Sequence, residues 1–327
     1  MLPLPPFTLH EPDTLAEARA LVAGLGAEAR LVAGGTDLLP NMKQGLVAPR
    51  HLVSLRCVRE LDRVERGGGV VRLGAMTPLE VVATDPDVCA SARALAEAAR
   101  AVGGPHHRRM GTLGGNLCLE TRCRFYNQTA FWRGALGHCL KKDGSVCHVV
   151  EKGQRCVAAA SNDTAAAVIA LGGTLDIIGP DGPRAVRASD FYTADGLHNT
   201  TLRAGEIVIA ATIPIPPGRT SAYEKLRRRG AIDFPLLSVA ACASWDGSRV
   251  ASLTLVVSAL AARPRTIARA DVLARGATPS DALVAEIAAL ARAECAPLAN
   301  LDGDLAWRKE MVAVLVRRAL ARAGLAR

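Results

Sequence analysis

Between Cys118 and Ala160 the chain has no sustained hydrophobic period, although the segments on either side are patterned for helices and strands. This stretch is rich in Gly, Lys, Arg, His and Asn. A structureless loop of that length inside a compact domain is uncommon, so something besides a hydrophobic core has to pin it. It contains Cys123, Cys139, Cys147 and Cys156, spaced Cys-x15-Cys-x7-Cys-x8-Cys. Clustered thiols suit a zinc ion or an iron–sulfur cluster. The spacing is neither the close ligand pairing of zinc fingers and ribbons nor the tight run of ferredoxins. On spacing alone the metal stays open. His138 and His148 each flank a cysteine and could replace one as ligand, but a solvated loop position is the favoured reading for both.

The other five of the nine cysteines call for no special chemistry. Cys57, Cys89, Cys242 and Cys295 stand alone in apolar or helical surroundings and read as small buried hydrophobes. Cys118, between Leu117 and Leu119, reads as a core position on a strand. Met1-Leu2-Pro3-Leu4-Pro5-Pro6 has no basic start and is broken by prolines, which is not the pattern of a signal peptide. Disulfides are therefore not expected. No apolar run reaches the length of a membrane span, and a soluble cytoplasmic protein is expected. The chain has 327 residues, half of them apolar, enough for two or three domains with a sizeable core. Its net charge of +9 is spread along the chain, and the densest run, Arg227-Arg228-Arg229, is short. Without interleaved aromatics for base stacking, nucleic acid is not an expected partner. A solvated basic surface accounts for the charge, with an acidic protein partner as the functional alternative.

The patterned segments define an α+β chain. Thr14 and Glu17 form a capping box ahead of an apolar stripe (Leu15, Ala18, Leu21, Val22). A strand over 29–33 and another over 50–56 complete a small β-α-β unit, residues 1–60. Residues 61–216 read as a larger mixed α/β unit. It has a strand at 69–75, a helix opened by Thr77-Pro78, a helix near 91–102, the cysteine segment 118–160 as an insert, a helix at 163–171 and strands at 174–178 and 207–213. Pro214-Ile215-Pro216-Pro217-Gly218 marks a boundary. Residues 217–327 form a C-terminal α+β domain, with strands at 237–245 and 250–259 and helices at 264–275, 280–297 and 304–323.

Two glycine loops carry binding chemistry. Leu31-Val32-Ala33 runs as a strand into Gly34-Gly35-Thr36-Asp37-Leu38, and Gly111-Thr112-Leu113-Gly114-Gly115-Asn116 repeats the Gly-Gly pair with a threonine alongside. Glycines let a phosphate approach the backbone, and successive N–H groups in such turns form an anion nest. Neither loop is the G-x-G-x-x-G fingerprint or a P-loop. Val32-Ala33-Gly34-Gly35-Thr36-Asp37-Leu38 and Gly111-Thr112-Leu113-Gly114-Gly115-Asn116-Leu117 resemble the two FAD-binding motifs of the flavoprotein subunits of molybdenum hydroxylases, the xanthine dehydrogenase and carbon monoxide dehydrogenase group. Phe7-Thr8-Leu9-His10-Glu11-Pro12 resembles that family's opening strand. Tyr223-Glu224-Lys225-Leu226 and Asp233-Phe234-Pro235 resemble its stretch beside the flavin ring.

The resemblance implies a two-part FAD-binding domain followed by an α+β domain. Residues 31–38 (Leu31, Val32, Ala33, Gly34, Gly35, Thr36, Asp37, Leu38) and Thr112, Leu113, Gly114, Gly115 and Asn116 would wrap the FAD pyrophosphate and ribityl chain. Val102 would touch the cofactor, Asp163 would hold its polar groups, and Lys225 would sit near the isoalloxazine. Read without the resemblance, Asp163 is a helix N-cap and Lys225 a surface lysine. His106 and His107 would flank the FAD or cap the preceding turn. Only the cysteine insert departs from the general family pattern. It resembles the insert of the β subunits of 4-hydroxybenzoyl-CoA reductases, where four cysteines bind a [4Fe–4S] cluster. That implies a cluster on Cys123, Cys139, Cys147 and Cys156, and electron flow from ferredoxin through cluster and FAD to a small [2Fe–2S] subunit and a large molybdopterin subunit, in a dimer of heterotrimers. An oxidative molybdenum hydroxylase subunit and a zinc-stabilised binding protein are the alternatives. The basic residues Arg122, Arg124, Arg133, Lys141 and Lys142 are expected to dock the acidic ferredoxin.

Overall fold

The computed structural model describes residues 2–326. Twelve strands among the described residues make three sheets. The first sheet holds β1 (Thr8–His10), β2 (Ala29–Val32) and β3 (His51–Ser54), in the order β1-β3-β2 with both pairings parallel. The helix Leu15–Leu25 makes the crossover. Thr14 Oγ1 accepts from Glu17 N at 3.2 Å, while the Glu17 carboxylate turns back to Asp13 N at 3.0 Å, one residue earlier than a capping box requires. Ala18, on the apolar stripe, packs with Val53, Leu55, Leu61 and Ile207. Ile207 belongs to the second sheet, so the first two units share a core.

That second sheet is antiparallel, in the order β4-β5-β8-β6-β7. Its strands are β4 (Val64–Gly67), β5 (Val70–Gly74), β6 (Thr174–Gly179), β7 (Gly182–Arg187) and β8 (Ile207–Pro214). The two edge strands β4 and β7 escape the sequence pattern because no position of either is fully buried. The third sheet holds β9 (Thr220–Leu226), β10 (Leu237–Asp246), β11 (Arg249–Ser258) and the short β12 (Arg265–Thr266), antiparallel in the order β12-β11-β10-β9. Residues 237–243 of β10 are all buried, because the sheet is covered on both faces. Leu237, Val239, Ala241 and Ala243 pack with the helices Asp281–Glu294 and Leu305–Arg322. Ala240 and Cys242, on the opposite face, join the core of the helices Arg93–Arg100 and Asp163–Ala170. The third sheet is thus the wall between the C-terminal domain and the cofactor-type unit. Among the described residues no helix is long and apolar enough to cross a membrane.

The cysteine insert leaves this framework at one point. Arg122 N donates to Ala159 O at 2.8 Å and Ala159 N donates to Arg122 O at 2.6 Å, so the two ends of the excursion are paired. Inside it lies a short helix, Ala130–Ala135, capped by Thr129 Oγ1 on Trp132 N at 3.3 Å. Its apolar residues Phe131, Trp132 and, just beyond it, Leu136 are exposed, which is why periodicity does not reveal it. Cys118 corrects an expectation. It closes the helix Leu113–Leu117, with its N–H on Gly114 O at 2.9 Å, and is half-buried rather than a core strand position. Cys57 and Cys89 are likewise half-buried, whereas Cys242 and Cys295 are buried.

Candidate functional site

The two glycine loops meet backbone to backbone. A Cβ on Gly34 would lie 1.8 Å from Met110 O and 2.8 Å from Gly111 Cα, so only glycine permits the approach. A Cβ on Gly111 would lie 3.5 Å from Thr36 Oγ1, and one on Gly115 would lie 3.5 Å from Ala33 Cβ. Gly35 takes a φ of +70°, the left-handed conformation that re-aims the following N–H groups. Thr112 Oγ1 accepts from Gly115 N at 3.1 Å and sets the second loop. Leu31, Val32, Ala33, Gly34, Gly35, Asp37 and Leu38 are half-buried and Thr36 is exposed. Thr112, Leu113, Gly114 and Asn116 are buried, leaving Gly115 at the surface. A shared, glycine-lined cradle of this form fits a dinucleotide pyrophosphate. Asn116 supports it from beneath, its Oδ1 accepting from Thr164 N at 3.1 Å and Thr164 Oγ1 at 2.6 Å. His106 and His107 lie on the helix Pro105–Met110 that leads into the second loop.

Asp163 and Lys225 are brought together and buried, each side chain 4% exposed. Lys225 Nζ donates to Asp163 Oδ2 at 2.9 Å and to Ala101 O, beside Val102, at 3.0 Å. Tyr223 OH donates to Asp163 Oδ1 at 2.6 Å. Burial pushes the Asp163 carboxyl up, opposed first by the Lys225 ammonium and then by the Tyr223 hydroxyl. Burial and the Asp163 charge hold Tyr223 well above the usual phenol range. Lys225 is therefore no surface lysine. The cap of the helix Asp163–Ala170 is Asn162, and its side chain serves Leu117 O and Tyr192 OH instead.

All four insert cysteines line one pocket, with Phe125, Tyr126, Lys141 and His148 among its walls. Its empty space is about 300 Å³, counting the open mouth. Cys123 and Cys156 are buried with Leu46, Tyr126 and Ala158 in a small core, while Cys139 and Cys147 are half-buried. Burial pushes the Cys123 thiol up to about 11. It also raises Cys156, with the Lys141 ammonium pulling the other way. Gly196 presses on the site: a Cβ there would fall 2.9 Å from Cys156 Sγ. Among the described residues no three His, Cys, Asp or Glu side chains stand close enough to hold one metal ion. His148 lines the pocket with its Nε2 2.5 Å from His138 O. His138, with a φ of +62°, is not among the pocket walls. Asp143 and Lys152 share the left-handed conformation, so three non-glycine residues in one loop hold costly backbone.

The basic residues of the insert divide in a way their sequence does not show. Arg122, Arg133 and Lys141 are buried, which corrects the expectation that they dock a partner. Arg122 is paired with Asp37 and lies over the Phe234 ring, 4.6 Å from its centre. Arg133 Nη1 is 3.7 Å from Asp143 Oδ2, and Lys141 Nζ is 2.5 Å from Glu120 Oε1. Lys141 also donates to Thr121 Oγ1 at 2.8 Å and to Gly196 O at 2.5 Å. Arg124 is exposed and Lys142 partly so. Arg122, Lys141, Gly196 and Tyr223 are the site residues that sequence reasoning assigned no such role. Their partners lie far along the chain, and no local pattern marks them.

A glycine-lined dinucleotide cradle on a two-part α/β unit, backed by an antiparallel sheet domain, defines a flavoprotein of a known type. Residues 5–216 match the FAD-binding domain of molybdopterin dehydrogenases, and residues 221–323 match the carbon monoxide dehydrogenase flavoprotein C-terminal domain. The chain belongs to this family of FAD-binding subunits. It is 30% identical to the carbon monoxide dehydrogenase medium chain of Afipia carboxidovorans over 97% of this chain and 96% of that one. It is 34% identical to the aldehyde oxidoreductase FAD-binding subunit of Escherichia coli K12, over 83% of this chain and 87% of that one. Among solved structures, Cu,Mo-CO dehydrogenase superposes with a TM-score of 0.81 at 29% identity, covering 98% of both chains. Quinoline 2-oxidoreductase from Pseudomonas putida 86 gives 0.79 at 26%, with the same coverage.

Proposed function

We propose that the chain is an electron-transfer subunit of a molybdenum enzyme that holds an iron–sulfur cluster as well as FAD. The observation that carries this reading is the convergence of Cys123, Cys139, Cys147 and Cys156 on one pocket, in the segment that directly follows the second glycine loop. Residues 31–38 and 112–116 would cradle the FAD pyrophosphate and ribityl chain, Val102 would touch the cofactor, Asp163 would hold its polar groups, Lys225 would sit near the isoalloxazine, and the four thiolates would hold a [4Fe–4S] cluster. When bound, the two groups supply single-electron exchange alongside the two-electron capacity of the flavin. The protein's part is to bury Cys123 and Cys156, to set Lys141 beside the thiolates, and to fix the two loops against each other.

Relatives named medium chain and FAD-binding subunit support a place in a larger assembly, with a molybdopterin-binding large subunit and a [2Fe–2S] small subunit. On substrate, two readings stand. The matched relatives are named for carbon monoxide and aldehyde chemistry, which supports an oxidative molybdenum hydroxylase. The cysteine insert alone supports the reductive alternative, 4-hydroxybenzoyl-CoA to benzoyl-CoA with ferredoxin as donor. On that reading, the donor would meet the exposed Phe131, Trp132 and Leu136 near the exposed Arg124 rather than the buried Arg122, Arg133 and Lys141. The test is iron and acid-labile sulfide in anaerobically purified protein. About four of each per FAD is expected, falling sharply in Cys147→Ser. Zinc instead, or neither element, overturns the cluster. Reduction by ferredoxin in the assembled complex, against reduction by aldehydes or purines, separates the two substrate readings.

A further inference from the structure

Arg122 is the residue where the two candidate cofactor sites touch. It precedes Cys123, whose side chain is sealed in the thiol pocket. Its own backbone is fixed by the paired hydrogen bonds to Ala159. Its guanidinium turns away from the pocket toward the first glycine loop, pairing with Asp37 and donating to Asn41 Oδ1 at 3.1 Å. Asn41 Nδ2 in turn donates to Asp37 Oδ2 at 3.1 Å, so Asp37 is held by both partners. Asn127, from the insert, takes Nη1 at 3.4 Å. The stacking on Phe234 brings in the C-terminal domain. The continuation of the same loop returns to the thiol site: Leu46 packs with Cys123, Tyr126 and Cys156, and Arg133 Nη2 holds Gly45 O at 3.2 Å. A buried guanidinium with a planar fork holds a carboxylate in one orientation. Displacing the Cys123 backbone therefore displaces Asp37 as well.

We propose that Arg122 is a positioning residue that makes the two sites bind cooperatively: filling the cysteine pocket tightens FAD binding at residues 33–37, and FAD protects the pocket in return. This rests on the cluster reading above. Linkage requires the two effects to be equal, and a single buried ion pair relaying one backbone position sets a scale of about tenfold. The experiment is a double-mutant cycle read as the dissociation constant of FAD from deflavinated protein, with iron assayed in every sample. Cys123→Ser should lose iron and weaken FAD about tenfold. Arg122→Gln should weaken FAD by itself, and adding Cys123→Ser to it should cost little more. Arg122→Lys, which keeps the charge without the fork, should recover only part of the coupling. Unchanged iron in Cys123→Ser would refute the cluster and leave Arg122 without an effector. Lost iron with unchanged FAD affinity, or an undiminished effect of Cys123→Ser in the Arg122→Gln background, would overturn the coupling while leaving the cluster in place. Arg187→Gln, at an exposed position on the edge strand β7, serves as the control for folding and should change neither quantity.

Discussion

Gly34→Ala isolates the contact on which the FAD cradle depends. The new methyl carbon would sit 1.8 Å from Met110 O, 2.5 Å from Met110 C and 2.8 Å from Gly111 Cα. All three are backbone atoms, so no side chain can rotate out of the way. Reaching even 3.0 Å from Met110 O requires the loops to part by about 1.2 Å, more than a close-packed interior absorbs without loss. Overpacking of this kind costs about 3 kcal/mol, and where that strain falls on the cofactor-binding conformation it weakens FAD by about two decades. Gly24→Ala is the internal comparison. No heavy atom lies within 4 Å of its added carbon, and it sits inside the helix Leu15–Leu25. It should stabilise the fold by about 0.5–1 kcal/mol and leave FAD binding alone. Fluorescence titration of FAD into deflavinated protein, with urea unfolding of each variant, reads both quantities. A Gly34→Ala protein that folds normally and binds FAD within about threefold of wild type would refute the loop-against-loop reasoning.

Two further outcomes follow from buried and half-buried charge. Lys225→Met leaves Asp163 as an uncompensated buried carboxylate and should cost about 3–5 kcal/mol in urea unfolding of the flavin-free protein, much of it restored by adding Asp163→Asn. Arg184 holds Glu206 in a two-point contact at 2.6 and 2.7 Å and, as the leading cause, lowers its carboxyl below the usual value. Because the folded value is depressed, the contribution is fully present above the unfolded value near pH 4.3 and disappears as pH falls through the folded one. Arg184→Met should therefore lower stability by about 1 kcal/mol at pH 7 and progressively less below pH 4; an equal deficit at both would disprove it.

What could be read from the chain, and what could not, divides by range of interaction. The glycine loops were legible because only glycine tolerates the approach of Gly34 to Met110 and the φ of Gly35, and that demand is written locally. The helix Leu15–Leu25 was legible because its capping residue and apolar stripe are also written locally. Leu117-Cys118-Leu119 misled because three residues of alternation cannot outvote a helical turn begun by Thr112. The insert charges misled more deeply. A run of Arg and Lys in a polar segment reads as solvated surface, yet Arg122 finds Asp37 and Lys141 finds both Glu120 and Gly196 through the fold alone. Asp163 and Lys225, 62 positions apart in sequence, stand as a buried pair for the same reason. Single positions showed which groups were present, and only the sheet topology showed which of them neutralise one another.

The reciprocal hydrogen bonds between Arg122 and Ala159 also bear on how such a protein is assembled over generations. Two chain positions already facing each other at bonding distance form a seam. The strands on which the flavin unit depends all lie outside residues 123–158. A lineage could graft a metal-binding appendage onto an older redox scaffold at such a seam, or discard it, in one genetic event.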